Sequence, residues 1–195
     1  MKSLKGTKTA ENLMKSFAGE CQARTRYTYY SSVAKKEGFV QISNIFMETA
    51  EQEKEHARRF YKFLKEEFAG EAIEINAAYP VGLYESTADN LRAAAAGEHE
   101  EWSKDYPEFA RIAREEGFPA IAAAYDKISE VENMHERRYN ALLKNVENGT
   151  VFKREEVVLW KCGNCGFIFE GKEAPGLCPA CLHPKDYFEV CTEAY

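Results

Sequence analysis

No stretch of the 195-residue sequence is apolar for long enough to cross a bilayer as a helix. The N-terminal M-K-S-L-K-G-T also lacks the apolar run of a secretory signal, so the cytoplasm is the expected location. A basic patch is missing as well. The net charge is −6, whereas neutralising a phosphate backbone calls for clustered lysine and arginine, so nucleic acid is not an expected partner. An acidic balance has another source, because carboxylates gathered around cations count as negative until the metals are added back.

What is present begins with 45% hydrophobic residues, near the soluble average and enough for one substantial core with a small second module beside it. Of six cysteines, four form two Cys-x-x-Cys pairs towards the C-terminus, which is metal-ligand spacing in a reducing compartment. Cys21 and Cys191 are left over and read as ordinary small buried apolar groups.

Over about residues 9–37, Leu13, Phe17, Cys21 and Arg24 follow a three-to-four spacing, and Gly38 stands where a left-handed helix end belongs. A second helix is expected over about 40–67, then a long extended connection over 69–85. Ser86 and Asp89 have capping-box spacing and launch a third helix over 87–116. Gly117 ends it, and Pro119 fits the first turn of a fourth helix that runs to about 147 and stops at Gly149. Four long helices, with short turns within each pair and one crossover between pairs, describe a four-helix bundle of the ferritin-like arrangement. After Thr150, glycine, cysteine and proline become dense over a tail too small to fold without staples or a metal. The expected division is 1–150 and 151–195. The fold class is mainly α, with a small C-terminal metal-binding β domain.

The bundle repeats internally. Residues 34–65 placed over 113–144, an offset of 79, give 12 identities in 32 positions, which marks a duplicated helix pair. Glu53 falls over Glu132 and His56 over His135, so each half carries Glu-x-x-His with both side chains on one helical face. A di-metal bundle needs one further glutamate from each remaining helix. Glu20 and Glu98, each the last residue of an A-G-E element, supply them. The small residues ahead of each glutamate are expected to let a facing helix come close. Four carboxylates and two imidazoles favour iron or manganese over zinc or copper.

Glu101 lies three residues beyond Glu98 on the same face and has no counterpart, since Ala23 occupies its place in the first half. This seventh donor, a fifth carboxylate, suits an oxidised metal, and neutral His56 a reduced one; taken alone it reads equally well as a solvated glutamate. The A-G-E elements align at an offset of 78 rather than 79, so one extra residue lies between Glu98 and Ala113. Together with Pro107, it predicts a π-bulge in the third helix. Tyr27 and Tyr106, about two turns beyond Glu20 and Glu98, are placed to hydrogen-bond a ligand carboxylate or to pack in the core. His99 and Glu100 are expected to turn outward.

Cys162, Cys165, Cys178 and Cys181 have the spacing Cys-x2-Cys-x12-Cys-x2-Cys, a four-thiolate set that admits zinc or iron. Gly163, Gly166, Pro179 and the aromatics Trp160, Phe167, Phe169, Tyr187 and Phe188 make the tail resemble rubredoxin. Leu182 departs from that pattern, ending the second knuckle where a glycine is usual, and bears on the hydrogen bonding around Cys181 without removing a ligand.

The two modules in this order resemble the rubrerythrin family over essentially the whole chain. That resemblance implies a non-haem di-iron hydrogen peroxide reductase. Its electrons come from NAD(P)H through a flavoprotein reductase, often via a separate rubredoxin, and pass through its own rubredoxin-like iron. It further implies that Glu53 and Glu132 bridge the irons, that Glu20 and Glu98 are terminal, and that His135 holds one iron. The other iron is implied to alternate between His56 when reduced and Glu101 when oxidised, with Tyr27 and Tyr106 supporting the ligands. A head-to-tail homodimer is implied too. Two other classes use the same residues: a ferritin-like ferroxidase or iron store, needing neither Glu101 nor the tail, and a zinc-ribbon adaptor without enzymatic activity.

Overall fold

The computed structural model describes residues 2–192. Helix α1 spans Lys8–Lys36 and α2 spans Val40–Phe68. After the irregular crossover come α3 (Thr87–Glu100), a π-helical turn (Glu101–Asp105) and α4 (Tyr106–Glu115), which together make the third rod. Helix α5 spans Pro119–Glu147.

Local chemistry sets the helix ends. The Thr7 side chain accepts from the Ala10 amide to start α1, and Ser86 both accepts from the Asp89 amide and donates to its carboxylate to start α3. Gly38, Gly117 and Gly149 take φ of +84°, +82° and +63° at the stops, a region that suits glycine. One identity of the repeat, Glu37 over Glu116, works across the bundle. The Glu37 carboxylate accepts from the Thr87 amide at 2.7 Å, and Glu116 accepts from the Lys8 and Thr9 amides at 3.0 and 2.8 Å. Each half therefore places an anion on the exposed amides that begin the other half's first helix.

The core is divided in two. One apolar cluster holds Leu13, Phe60, Leu64, Tyr106, Ala110 and Tyr125; the other holds Ala23, Tyr27, Tyr30, Phe46, Leu91 and Tyr139. Along every rod the chain passes from one cluster to the other through a fully buried glutamate: Glu20, Glu53, Glu98 or Glu132. The aromatic packing repeats on the two sides. Phe60 lies 5.7 Å from Tyr106 and 4.9 Å from Tyr125, while Tyr139 lies 5.6 Å from Tyr27 and 5.2 Å from Phe46.

The inward stripe of α1 differs from the one expected. Leu13, Ser16, Glu20, Ala23, Tyr27 and Tyr30 are buried, whereas Cys21 is exposed and Arg24 lies at the margin. Polar groups occupy the inner face because the site lies there, so apolar spacing alone follows its edge. Cys21 is thus not the buried apolar group expected, and Cys191 is only half-buried.

Beyond the bundle, β1 (Lys153–Cys162), β2 (Ile168–Glu173) and β3 (Phe188–Val190) form an antiparallel sheet in the order β2-β1-β3. Trp160 and Phe188 are buried beneath it with Cys162 and Cys178. This module meets the bundle at the α1–α2 turn, where Phe39 stacks on Phe152 at 6.2 Å and Asp186 lies against Gly38.

Candidate metal centres

Glu20, Glu53, His56 and Glu132 each bring one donor atom to within 4.8 Å of the others, and Glu53, Glu98, Glu132 and His135 do the same. Glu53 and Glu132 belong to both groups, which is what two adjacent ions sharing bridging carboxylates require. The two imidazoles face each other across the cluster with ring centres 6.0 Å apart.

Nδ1 of His56 lies 2.9 Å from both Glu53 and Glu132; Nδ1 of His135 lies 3.1 Å from Glu53 and 2.8 Å from Glu132. Despite these short distances, one or both oxygens of Glu20, Glu53, Glu98 and Glu132, and Nδ1 of His135, are buried without a hydrogen-bond partner of proper geometry. Buried polar atoms are normally satisfied. Orphaned oxygens and a nitrogen converging on one space are the arrangement that cations complete, and the donor set fits iron.

The electrostatics agree. Burial, then the charges of Glu132 and Glu53, push Glu20 well above the usual carboxylate range; burial, then Glu53, lifts Glu98 to about 8. Burial opposes charge on the imidazoles, yet the adjacent carboxylates of Glu132 and Glu53 raise His56 to about 10 and His135 to about 12. Glu53 goes the other way: burial raises it, but the two histidines outweigh that and draw it down to about 2. Without cations this pocket neutralises itself by taking up protons.

Each tyrosine reaches across to the other half. Tyr27 donates to Glu98 at 2.6 Å and Tyr106 donates to Glu20 at 2.5 Å. This exchange uses the expected π-bulge, in which the Tyr106 amide donates to the Glu101 carbonyl five residues back. Glu101, within that turn, stands outside both four-residue groups. It is half-buried, with its carboxylate near Gly19, while His99 and Glu100 are exposed as expected. Packing around the Glu101 carboxyl, with the charges of Glu98, Glu132 and Glu53, holds it well above the usual range.

Sequence reasoning missed Gln52. Its Oε1 lies 3.0 Å from His135 Nε2, so it accepts from that nitrogen and leaves Nδ1 free to face the carboxylates. No repeat marks it, because its counterpart is Val131.

In the tail, the sulfurs of Cys162 and Cys181 lie 3.8 Å apart, and those of Cys165 and Cys178 3.6 Å apart. A metal–sulfur bond of about 2.3 Å sets tetrahedral edges of about 3.8 Å, so these two edges match a bound metal, and all four sulfurs lie within 4.8 Å of one another. The Gly166 amide donates to the Cys162 carbonyl at 2.8 Å and the Leu182 amide to the Cys178 carbonyl at 2.9 Å. Both knuckles therefore keep the same bond. Leu182 makes it at a φ of +62°, in the region where glycine is favoured.

Residues 11–143 match the rubrerythrin family profile, and residues 160–189 match the profile of the rubrerythrin rubredoxin-like domain. The chain belongs to the rubrerythrin family. A rubrerythrin of Clostridium perfringens is 70% identical, with both chains covered in full, and one of Nitratidesulfovibrio vulgaris is 53% identical, with 97% of each covered. Among solved structures, partially reduced nigerythrin superposes with a TM-score of 0.65 at 31% identity, over 97% of this chain and 89% of that one. A bacterioferritin of Desulfovibrio desulfuricans shares the bundle fold, with a TM-score of 0.64 at 20% identity over 73% of this chain and 82% of that one. The chain accordingly combines a di-iron carboxylate site in a ferritin-like bundle with a four-cysteine iron site. None of its described helices is long and apolar enough to cross a membrane.

Proposed function

We propose that this protein is a cytoplasmic peroxidase protecting against oxidative stress. It reduces hydrogen peroxide to water with electrons from NAD(P)H, delivered by a reductase, a rubredoxin or both. The two modules are residues 1–150 and 151–195. The observation that carries the reading is Glu101, a fifth carboxylate set beside a six-residue donor cluster in a chain that also holds a four-thiolate site. A ferroxidase or iron store calls for neither addition.

In this reading Glu53 and Glu132 would be shared by the two metals, Glu20 and Glu98 would each hold one, and His135 would stay with its own. His56, which stands in the cluster, and Glu101, which stands outside it, would exchange at the other. When bound, the iron pair supplies two electrons to peroxide. Tyr27 and Tyr106 hold Glu98 and Glu20 in place by their hydrogen bonds, so the frame stays fixed while His56 and Glu101 exchange. Glu101 away from the metal holds a proton well above the usual carboxylate range, which equips it to protonate the departing oxygen.

Cys162, Cys165, Cys178 and Cys181 hold the iron that returns electrons. The module carrying it meets the bundle near Val40, and Glu53 is 13 residues further along α2. At 1.5 Å per residue the separation is about 20 Å. A head-to-tail homodimer, in which one copy's tail serves the other copy's bundle, shortens that path.

The test is peroxide-dependent NADH consumption with a rubredoxin reductase, comparing wild type with Glu101→Ala and Cys162→Ser. Both variants are expected to lose most turnover. Full turnover in both, or zinc at every site of the active protein, would defeat the reading.

A further inference from the structure

Gly19 and Gly97 lie inside long helices, where glycine costs about 1 kcal/mol relative to alanine. Close approach of a facing helix, the reason expected from sequence, is not what surrounds them. A Cβ on Gly97 would meet nothing within 4 Å, and one on Gly19 would meet the Tyr79 ring at 3.6 Å and the Glu101 carboxylate at 4.0 Å. Both glycines open onto space beneath the crossover segment.

That space is a cleft of about 180 Å³ lined by Gly19, Arg26, Tyr79, Pro80, Gly97 and Glu101, with Tyr106 on its inner side. A larger hollow of about 550 Å³ shares Arg26, Tyr79, Pro80 and Gly97 and extends towards Tyr27. The crossover is held over both by hydrogen bonds, with Tyr79 donating to the Lys15 carbonyl and Tyr30 to the Gly82 carbonyl, each at 2.8 Å. Arg26 lines both spaces, and its Nη1 is buried without a partner, leaving a donor for a passing polar molecule.

We propose that this cleft is the route by which a small oxidant reaches the Glu101 side of the donor cluster, and that the lack of a long side chain at Gly97 keeps it open. The identity of the oxidant rests on the peroxidase reading; the route itself does not. A side chain longer than alanine at this position projects into the passage.

The test measures the on-rate of azide to the iron-loaded full-length protein by stopped-flow absorbance, with oxidation of the pre-reduced protein by hydrogen peroxide measured alongside. Gly97→Ala should keep the wild-type on-rate and raise thermal stability. Gly97→Leu should slow azide about tenfold or more with iron content unchanged. Because Gly97 adjoins Glu98, the crossover variant Ala78→Trp supplies the independent arm; it also lines the cleft, is remote in sequence from every ligand, and should slow azide similarly. Wild-type on-rates in both bulky variants would overturn the proposal. So would slowing in Gly97→Leu alone, since the effect would then travel through Glu98. If Gly97→Leu loses iron, Ala78→Trp decides. A wild-type protein that takes up azide but does not reduce peroxide would defeat the peroxidase reading and leave the route standing.

Discussion

Removing the metals should invert the pH dependence of stability. In the metal-free pocket Glu98 titrates at about 8 rather than its ordinary 4.5, and His56 at about 10 rather than 6.5. A carboxyl whose pKa is raised on folding contributes stability that is full below 4.5 and is lost as pH climbs through 8. A histidine raised by its partners contributes stability that is full below 6.5 and is lost as pH climbs through 10. Glu20 and Glu101, both raised, act in the same sense. Glu53, lowered to about 2, acts oppositely, but its contribution is complete above 4.5 and lies outside the window. At roughly 1.4 kcal/mol per pKa unit, Glu98 alone represents about 5 kcal/mol between pH 4.5 and 8, a large share of a typical domain's stability. Loaded protein behaves in the reverse way, because protons compete with metal for the same donors and acid weakens it. Urea unfolding of chelator-stripped and iron-loaded protein at several pH values from 5 to 8, followed by helical circular dichroism, measures both slopes. The stripped protein should weaken as pH rises and the loaded protein should strengthen. A stripped protein equally stable or more stable at pH 8 than at pH 5 would refute the electrostatic account of the pocket.

Gln52→Leu should lower iron retention at the bundle site about 10- to 100-fold in chelator competition, because His135 Nε2 loses the acceptor that aims the ring; unaltered retention would show that packing alone orients it. Tyr27→Phe should cost about 1–3 kcal/mol in the loaded protein by removing a buried donor from Glu98, and Tyr106→Phe should match it through Glu20. Unequal losses in denaturant titrations would argue against a symmetric frame. Leu182→Gly should stabilise the four-cysteine module by about 1 kcal/mol, since the residue has φ +62° and is 74% exposed, so little packing is lost. The midpoint at which guanidinium abolishes the thiolate–iron absorption reads this out, and a lower midpoint would contradict it.

The helix boundaries could be read in the sequence because caps are local: Ser86 with Asp89, Gly38, Gly117 and Pro119 act on backbone groups within a few residues. The donor cluster could be read because duplication wrote it twice. Features that depend on one half meeting the other were not legible. Nothing in the spacing of Tyr27 from Glu20 shows that its phenol serves Glu98, and Gln52 has no counterpart to mark it. On α1, apolar periodicity picked out a face that includes exposed Cys21, because the true inner face carries Ser16 and Glu20. Hydrophobic patterning tracks a core reliably only where that core is apolar throughout, and here each rod crosses a layer of carboxylates.

One added residue links the symmetric and asymmetric parts of the site. Seven residues separate Glu20 from Tyr27, but eight separate Glu98 from Tyr106. In an unbroken α-helix the eighth position is about 100° further round than the seventh, which would turn Tyr106 away from Glu20. The wide turn over Glu101–Asp105 absorbs the difference, and Tyr106 reaches Glu20 as Tyr27 reaches Glu98. The same turn changes what the third position after the glutamate can hold. In the first half that position is Ala23, closed into the apolar core; in the second it is Glu101, half-buried beside Gly19 at the cleft. A glutamate in Ala23's surroundings would be an unpaired carboxylate among apolar side chains, at a cost of several kcal/mol. The insertion therefore does two things at once: it preserves the paired tyrosine bonds that hold the frame, and it opens on one side only a place where a fifth carboxylate can stand near the cluster.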